Sequence, residues 1–152
     1  MKLSARGHYG LRAMAQLARS YGQGPQPLNE IARREGLSQA FLEQIMSTLR
    51  RAGLVEGSRG AHGGYELSRS PTEISAGDIV RALEGPLLIA ACVGDGGTEG
   101  SCGREAICTT KNMWLRLRDS MAEVLDSTML ADLSEGEGRP DDNVDSVPEG
   151  EM

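Results

Sequence analysis

The sequence predicts a mainly α protein that carries one small β-hairpin and a long amphipathic helix towards its end. Three observations predict it. Apolar residues recur at helical spacing in the segments around 4–21, 38–52 and 110–126. Two short alternating runs flank a glycine-rich tip at 59–63. Aromatic residues make up only 3% of the 152 residues, so Leu, Ile, Met and Ala must fill the core, and so modest a core favours completion by oligomerisation.

The first helix runs from about Ser4 to Tyr21, with Leu11, Met14, Leu17, Ala18 and Tyr21 on one stripe; Gly22, Gly24, Pro25 and Pro27 end it. A short helix, Leu28 to Glu35, turns Ile31 and Ala32 inward and stops at Gly36. Ser38 caps a third helix to about Ala52, whose buried stripe is Phe41, Leu42, Ile45 and Leu49. Leu54 to Ser58 and Gly64 to Leu67 alternate as two strands joined by Arg59-Gly60-Ala61-His62-Gly63. After Pro71, Ser75 and Asp78 are spaced as a capping box for a fourth helix that Gly85-Pro86 stops. Thr109-Thr110 open the longest helical pattern, in which Met113, Trp114, Leu117, Met121, Val124 and Leu125 form one stripe, and Met129 to Leu133 adds a short turn.

Two helices joined by Glu35-Gly36-Leu37-Ser38 have the spacing of a helix-turn-helix, and the hairpin that follows makes the unit a winged helix. In that arrangement the second helix enters the major groove. Ser38, Gln39, Ala40, Glu43, Gln44, Ser47 and Arg50 then face DNA, with Gln39, Glu43 and Gln44 as base readers: Gln can bond adenine through two atoms, and Glu can accept from the cytosine amino group. Arg59, flanked by small residues, suits insertion into a narrow A-T-rich minor groove, and His62 sits beside it at the tip. Without the wing, the outer face of the third helix would read equally well as ordinary solvated surface.

The formal net charge of -6 conceals a gradient. Residues 1–70 hold ten Lys/Arg against five Asp/Glu, residues 71–152 hold six against seventeen, and the stretch 134–152 alone holds seven acids against Arg139. That stretch is poor in apolar residues as well as acidic, which reads as disorder. No segment approaches the ~20 apolar residues of a membrane span, and Met1-Lys2-Leu3-Ser4 leads into polar residues rather than a signal-peptide core. The expectation is a cytoplasmic chain in three parts: 1–70 reads DNA, 71–133 holds a metal centre and forms a homodimer through the helix around 110–126, and 134–152 is an acidic tail. Two identical heads call for double-stranded DNA with a pseudo-palindromic operator.

All three cysteines, Cys92, Cys102 and Cys108, fall within seventeen residues as C-x9-C-x5-C, among Gly94, Gly96, Gly97, Gly100 and Gly103. Such a loop can wrap a metal or stay mobile, and an odd set of thiols in a reducing compartment suits metal binding or redox sensing. Two other readings stay open. One is a zinc site of three Cys and one His, against which stands the absence of a C-x2-4-C knuckle; the other is a cluster-free thiol switch that closes Cys102 on Cys108. For an enzyme, the sequence offers no Ser/His/Asp set, phosphate loop or paired carboxylates.

The run Met1-Lys2-Leu3-Ser4, the phrase Phe41-Leu42-Glu43-Gln44-Ile45, the wing from Arg59 to Tyr65, the segment from Asp78 to Gly85 and the three-cysteine loop together resemble the IscR-type regulators of iron-sulfur cluster assembly, with their nitric-oxide-sensing and iron-sensing relatives. The resemblance covers residues 1 to about 133 and implies a homodimeric winged-helix transcription factor, a repressor, with an iron-sulfur cluster near each dimerisation helix. It implies a 2Fe-2S cluster ahead of a 4Fe-4S one. By position it makes Glu43 and Gln44 base readers, Arg59 the wing arginine, and Cys92, Cys102 and Cys108 cluster ligands.

Two departures bear on the ligand set. Nine residues separate the first two cysteines where many relatives have about five, and Lys111 stands where the best-known branch has a His ligand. The fourth ligand is therefore open among His8, Asp95, Glu99 and Glu105. His8 comes first, because a relative's ligand arrives from this part of the partner subunit's first helix and imidazole is an accepted cluster ligand. A centre with one weak ligand in an accessible loop would make its own loss the signal, by releasing the long helix from the reading head.

Overall fold

The computed structural model describes residues 3–90, 93–94 and 107–135. Helices α1 (Ala5–Arg19), α2 (Leu28–Glu35) and α3 (Gln39–Arg51) lead into strands β1 (Val55–Ser58) and β2 (Gly64–Leu67). Then come α4 (Ala76–Glu84), a hairpin of β3 (Leu88–Ala90) and β4 (Val93–Gly94), and the helices α5 (Lys111–Ser127) and α6 (Leu130–Glu135). β1 and β2 pair antiparallel, with Val55 opposite Leu67 and Ser58 opposite Gly64. Gln26 adds a bridge to Tyr65 through backbone bonds of 2.8 and 2.9 Å, which ties the wing to the α1–α2 connection. This is the mainly α winged helix-turn-helix that the sequence predicts.

Local chemistry sets the helix ends. Ser38 Oγ accepts the Phe41 N–H at 3.2 Å, and the Ser75–Asp78 capping box closes in both directions at 3.0 Å; such a cap stabilises a helix by about 1 kcal/mol. Gly36, at φ 66°, closes α2 in the left-handed conformation. The buried Glu35 then fastens α2 to α1. Gln16 donates to its Oε1 at 3.1 Å, and Arg12 Nε lies 2.8 Å from Oε2, close enough to pair charges though too misaligned for a hydrogen bond.

One hydrophobic core joins Met14 and Leu17 of α1, Ile31 of α2, Leu42, Ile45, Met46 and Leu49 of α3, Ile74 and Ile79 around α4, and Leu130 of α6. Burying each of these large apolar side chains stabilises the fold by about 1.5–3 kcal/mol. α1 runs through the middle, with α2, α3, α4, β2 and α6 all packed on it.

Four details differ from the sequence expectation. α1 stops at Arg19 and the chain turns away through Gly22, so Tyr21 leaves the stripe and is 49% exposed. Met46, off the expected stripe of α3, is completely buried while Phe41 is only half-buried, because α1, α2, α4 and β1 all pack on α3 and widen its inner face. The expected turn at 129–133 is the helix α6, which carries Leu130 into the core and reaches Ser134 and Glu135; the rest of the acidic tail, 136–152, lies outside the described residues. The chain also doubles back as β3–β4 where a loop is expected, and this hairpin packs on α5.

Candidate nucleic-acid interface and cysteine segment

The outer face of α3 carries the expected readers. Ser38 caps the helix, Gln39, Ala40, Glu43, Gln44 and Arg50 are exposed, and Ser47 is half-buried. Two open grooves flank this face. One, of about 690 Å³, brings Ala40, Glu43, Gln44, Ser47 and Arg50 together with Arg6 of α1, Thr48, Arg51 and Tyr65. The other, of about 550 Å³, lies towards the wing and joins Gln39, Glu43 and Arg50 to Asn29, Ser58, Arg59 and Gly60. His62 is exposed at the tip and lines neither groove.

The wing's shape follows from its glycines. Gly63 N–H donates to the Gly60 carbonyl at 3.0 Å and closes the tip. Gly64 sits at φ 154°, and a Cβ there would run into the Gln26 backbone carbonyl, so the bridge between the wing and residue 26 requires glycine. Arg59 is held at the end of this short ribbon, exposed and beside the groove that Gln39 and Glu43 line.

Electrostatics favours a polyanion here. Among the described residues, ion pairs engage Arg12 with Glu35, Arg33 and Arg34 with Glu30, Arg81 with Asp126, and Arg118 with Asp119, but none engages Arg6, Arg50, Arg51 or Arg59. Four guanidiniums without a carboxylate partner thus line the two grooves around α3, with Glu43 between them. Such a surface attracts phosphates and leaves the Gln and Glu side chains free to meet base edges. Arg6, Thr48, Arg51, Asn29 and Tyr65 are not among the residues that the sequence singles out. Their basic or polar character is legible, but only the packing of α1 and the wing against α3 brings them to the readers.

Of the expected cluster ligands, Cys92 and Cys102 lie outside the described residues, as do Asp95, Glu99 and Glu105. Cys108 lies half-buried just before α5, its Sγ 3.4 Å from Thr110 Oγ1. The Thr110 hydroxyl, then the backbone N–H groups of Thr110 and Lys111 and the Lys111 charge, hold its thiol below the ordinary 9.0, against a smaller opposing effect of burial. That favours the thiolate, the form that ligates metal. His8 is exposed on α1 with its ring edge-on to Tyr9. Among the described residues no three His, Cys, Asp or Glu side chains gather as a metal site, and Cys108 and His8 are the two of the expected set that fall within them. Three thiols in seventeen residues, one already polarised, remain a donor set suited to iron-sulfur chemistry.

A family described as Rrf2, iron-dependent transcriptional regulator, matches residues 3–136. The chain belongs to the Rrf2 family. It is 47% identical over 134 residues to the transcriptional regulator CymR of Bacillus subtilis, a match covering 88% of this chain and 90% of that protein. The solved structure of B. subtilis CymR, the global cysteine regulator, superposes with a TM-score of 0.71 at 45% identity, covering 88% of this chain and 96% of that one. IscR of Aliivibrio salmonicida is 37% identical over 133 residues, 88% of this chain and 77% of its own length. The structure of T. potens IscR gives a TM-score of 0.69 at 43% identity, covering 88% and 85% of the two chains. This Rrf2 member is a DNA-binding transcriptional regulator and not an enzyme. Among its described residues no helix is long and apolar enough to cross a membrane.

Proposed function

We propose that this Rrf2 protein is a homodimeric, cytoplasmic repressor whose hold on a pseudo-palindromic double-stranded operator is set by an iron-sulfur cluster ligated by Cys92, Cys102 and Cys108. The observation that carries the reading is the position of Cys108, a polarised thiol three residues before α5, the helix whose apolar stripe is only partly covered in the single chain. A second copy would cover that stripe. Cys108 would then link the state of the loop to the spacing of two α3 helices in successive major grooves. When bound, the cluster supplies lability towards oxygen, nitric oxide and iron scarcity.

The chain's own residues divide the remaining work. Gln39, Glu43 and Gln44 read bases, Ser38, Ala40, Ser47 and Arg50 line the contact, and Arg59 with His62 at the wing tip meets the minor groove. His8, exposed on α1, would reach the partner's cluster as fourth ligand. The regulated genes would serve cluster assembly or related sulfur, iron and redox chemistry, as the resemblance to IscR-type regulators implies; the family's description as iron-dependent and that of B. subtilis CymR as a cysteine regulator support the iron and sulfur parts.

Protein purified without air should be brown and contain iron and acid-labile sulfide, with a 2Fe-2S spectrum ahead of a 4Fe-4S one. Stoichiometric zinc without sulfide would sink the cluster. The likeness to a cysteine regulator and the lowered Cys108 pKa favour one second reading, a cluster-free thiol switch. Colourless, iron-free protein whose affinity for DNA changes on thiol oxidation would establish that reading instead.

A further inference from the structure

We propose that the first turn of α1 is a third arm of the DNA interface, with Arg6 as its phosphate-binding residue, positioned by Thr48 of α3 and Glu84 of α4. The proposal deepens the DNA-binding reading above and does not depend on the cluster.

The two grooves meet at Glu43 and Arg50 of α3, which line both. Beyond these, Gln39 faces the wing groove, where Arg59 lies; Ala40, Gln44 and Ser47, at successive helical spacings, face the other, where Arg6 lies. A helix in the major groove has a phosphate strand on each side. The wing, which carries Arg59 towards the minor groove, flanks one side, and Arg6 would meet the phosphates on the other.

Arg6 is poised for that contact. It is exposed, no carboxylate among the described residues pairs with it, and the one hydrogen bond its side chain makes among them runs from NH2 to Thr48 Oγ1 at 3.0 Å. The Thr48 hydroxyl donates to the Gln44 carbonyl at 3.1 Å, which leaves its lone pairs to hold the guanidinium. The remaining donors of the guanidinium fork stay available, in the geometry that binds phosphate through two bonds.

Two backbone donors at the N-terminus of α1 are already satisfied. Glu84 Oε1 accepts the backbone N–H groups of Ser4 and Gly7 at 3.1 Å each and is also bonded to the Ser4 hydroxyl. These donors are therefore closed to an outside anion, and Glu84 acts as a cap contributed from the far end of α4, eighty residues along the chain. It fixes the turn from which Arg6 projects. Glu84 lines neither groove, so its charge does not stand against the phosphates.

The test is equilibrium binding of the full chain, by fluorescence anisotropy across a KCl series, to two duplexes: one enriched by the parent from a random library, and one unrelated of equal length. Arg6→Ala should weaken both by a similar factor, about tenfold or more per subunit, and flatten the slope of log affinity against log salt by about one per subunit. Arg6→Lys should restore the slope, which a mere folding defect would not permit. Glu84→Ala should reproduce part of the loss, and Glu84→Gln, which keeps an acceptor oxygen, should recover it. Unchanged affinity and slope in Arg6→Ala would overturn the proposal, as would a loss confined to the enriched duplex with the slope intact. A parent that enriches no duplex overturns the DNA-binding reading and this inference together, whereas a parent that binds and an Arg6→Ala that equals it overturn this inference alone.

Discussion

Helices α3 and α5 are alike in composition, with six of thirteen and eight of seventeen residues apolar, yet α3 buries four residues completely and α5 none. Surroundings make the difference. α3 is enclosed by α1, α2, α4 and β1, whereas α5 rests chiefly on α4 and the β3–β4 hairpin and leaves Met113 at 51% and Val124 at 64% exposure. The apolar face of α3 therefore stabilises the single chain, whereas that of α5 stays partly uncovered and, on the function proposed above, would serve association.

The largest effect should come from breaking α3. Leu42→Ala removes a fully buried side chain from the centre of the core and should cost about 2–5 kcal/mol, read as a lower thermal or denaturant midpoint. A loss below about 0.5 kcal/mol, the range of a surface change, would mean that α3 is no better enclosed than α5.

The corresponding change on α5 should behave oppositely. Met113→Glu combined with Val124→Glu alters two exposed positions, so dilute protein should keep its helical content while its molar mass in light scattering falls to that of one chain. Affinity for a two-half-site duplex should then drop far more than affinity for a single half-site, because each head must bind by itself. A variant that stays dimeric would remove α5 from the interface and leave its exposed stripe unexplained.

The same contrast shows what the sequence can reveal. The stops and caps at Ser38, Gly36 and the Ser75–Asp78 box are local, so their residues announce them, and the wing follows from its glycines. Met46 escapes because a stripe drawn at helical spacing assumes one buried side, and α3 has neighbours on several. α6 escapes because six residues cannot show a period, and its one fully buried side chain, Leu130, is turned inward only by tertiary packing. On the site, the candidate readers of α3 can be named from one helix face, but Arg6 and Thr48 are forty-two residues apart and meet only after folding. Cys92, Cys102 and Cys108 are conspicuous as a set in the sequence, and of the three only Cys108 falls within the described residues.

The smallest effect should lie at the joint between the two regions. Arg81 of α4 and Asp126 of α5 form a two-pronged pair at 2.5 and 3.1 Å, and Gly77 makes room for it, since a Cβ there would collide with the Asp126 carboxylate. Both groups are partly exposed, so the pair should contribute only about 0.2–1 kcal/mol, and less in high salt. The hydrogen bond from Arg81 holds the Asp126 carboxyl below its ordinary 3.8, with the Arg81 charge adding to the effect and desolvation opposing it. A depressed carboxyl contributes stability above its unfolded pKa and loses it as pH falls through the folded one. The difference in unfolding free energy between the parent and Asp126→Asn should accordingly be steady near neutrality and vanish on acidification below about 3.8. If it survives into stronger acid undiminished, the two helices are joined by packing around Gly77 rather than by charge, and α5 is less separable from the head than its exposed stripe indicates.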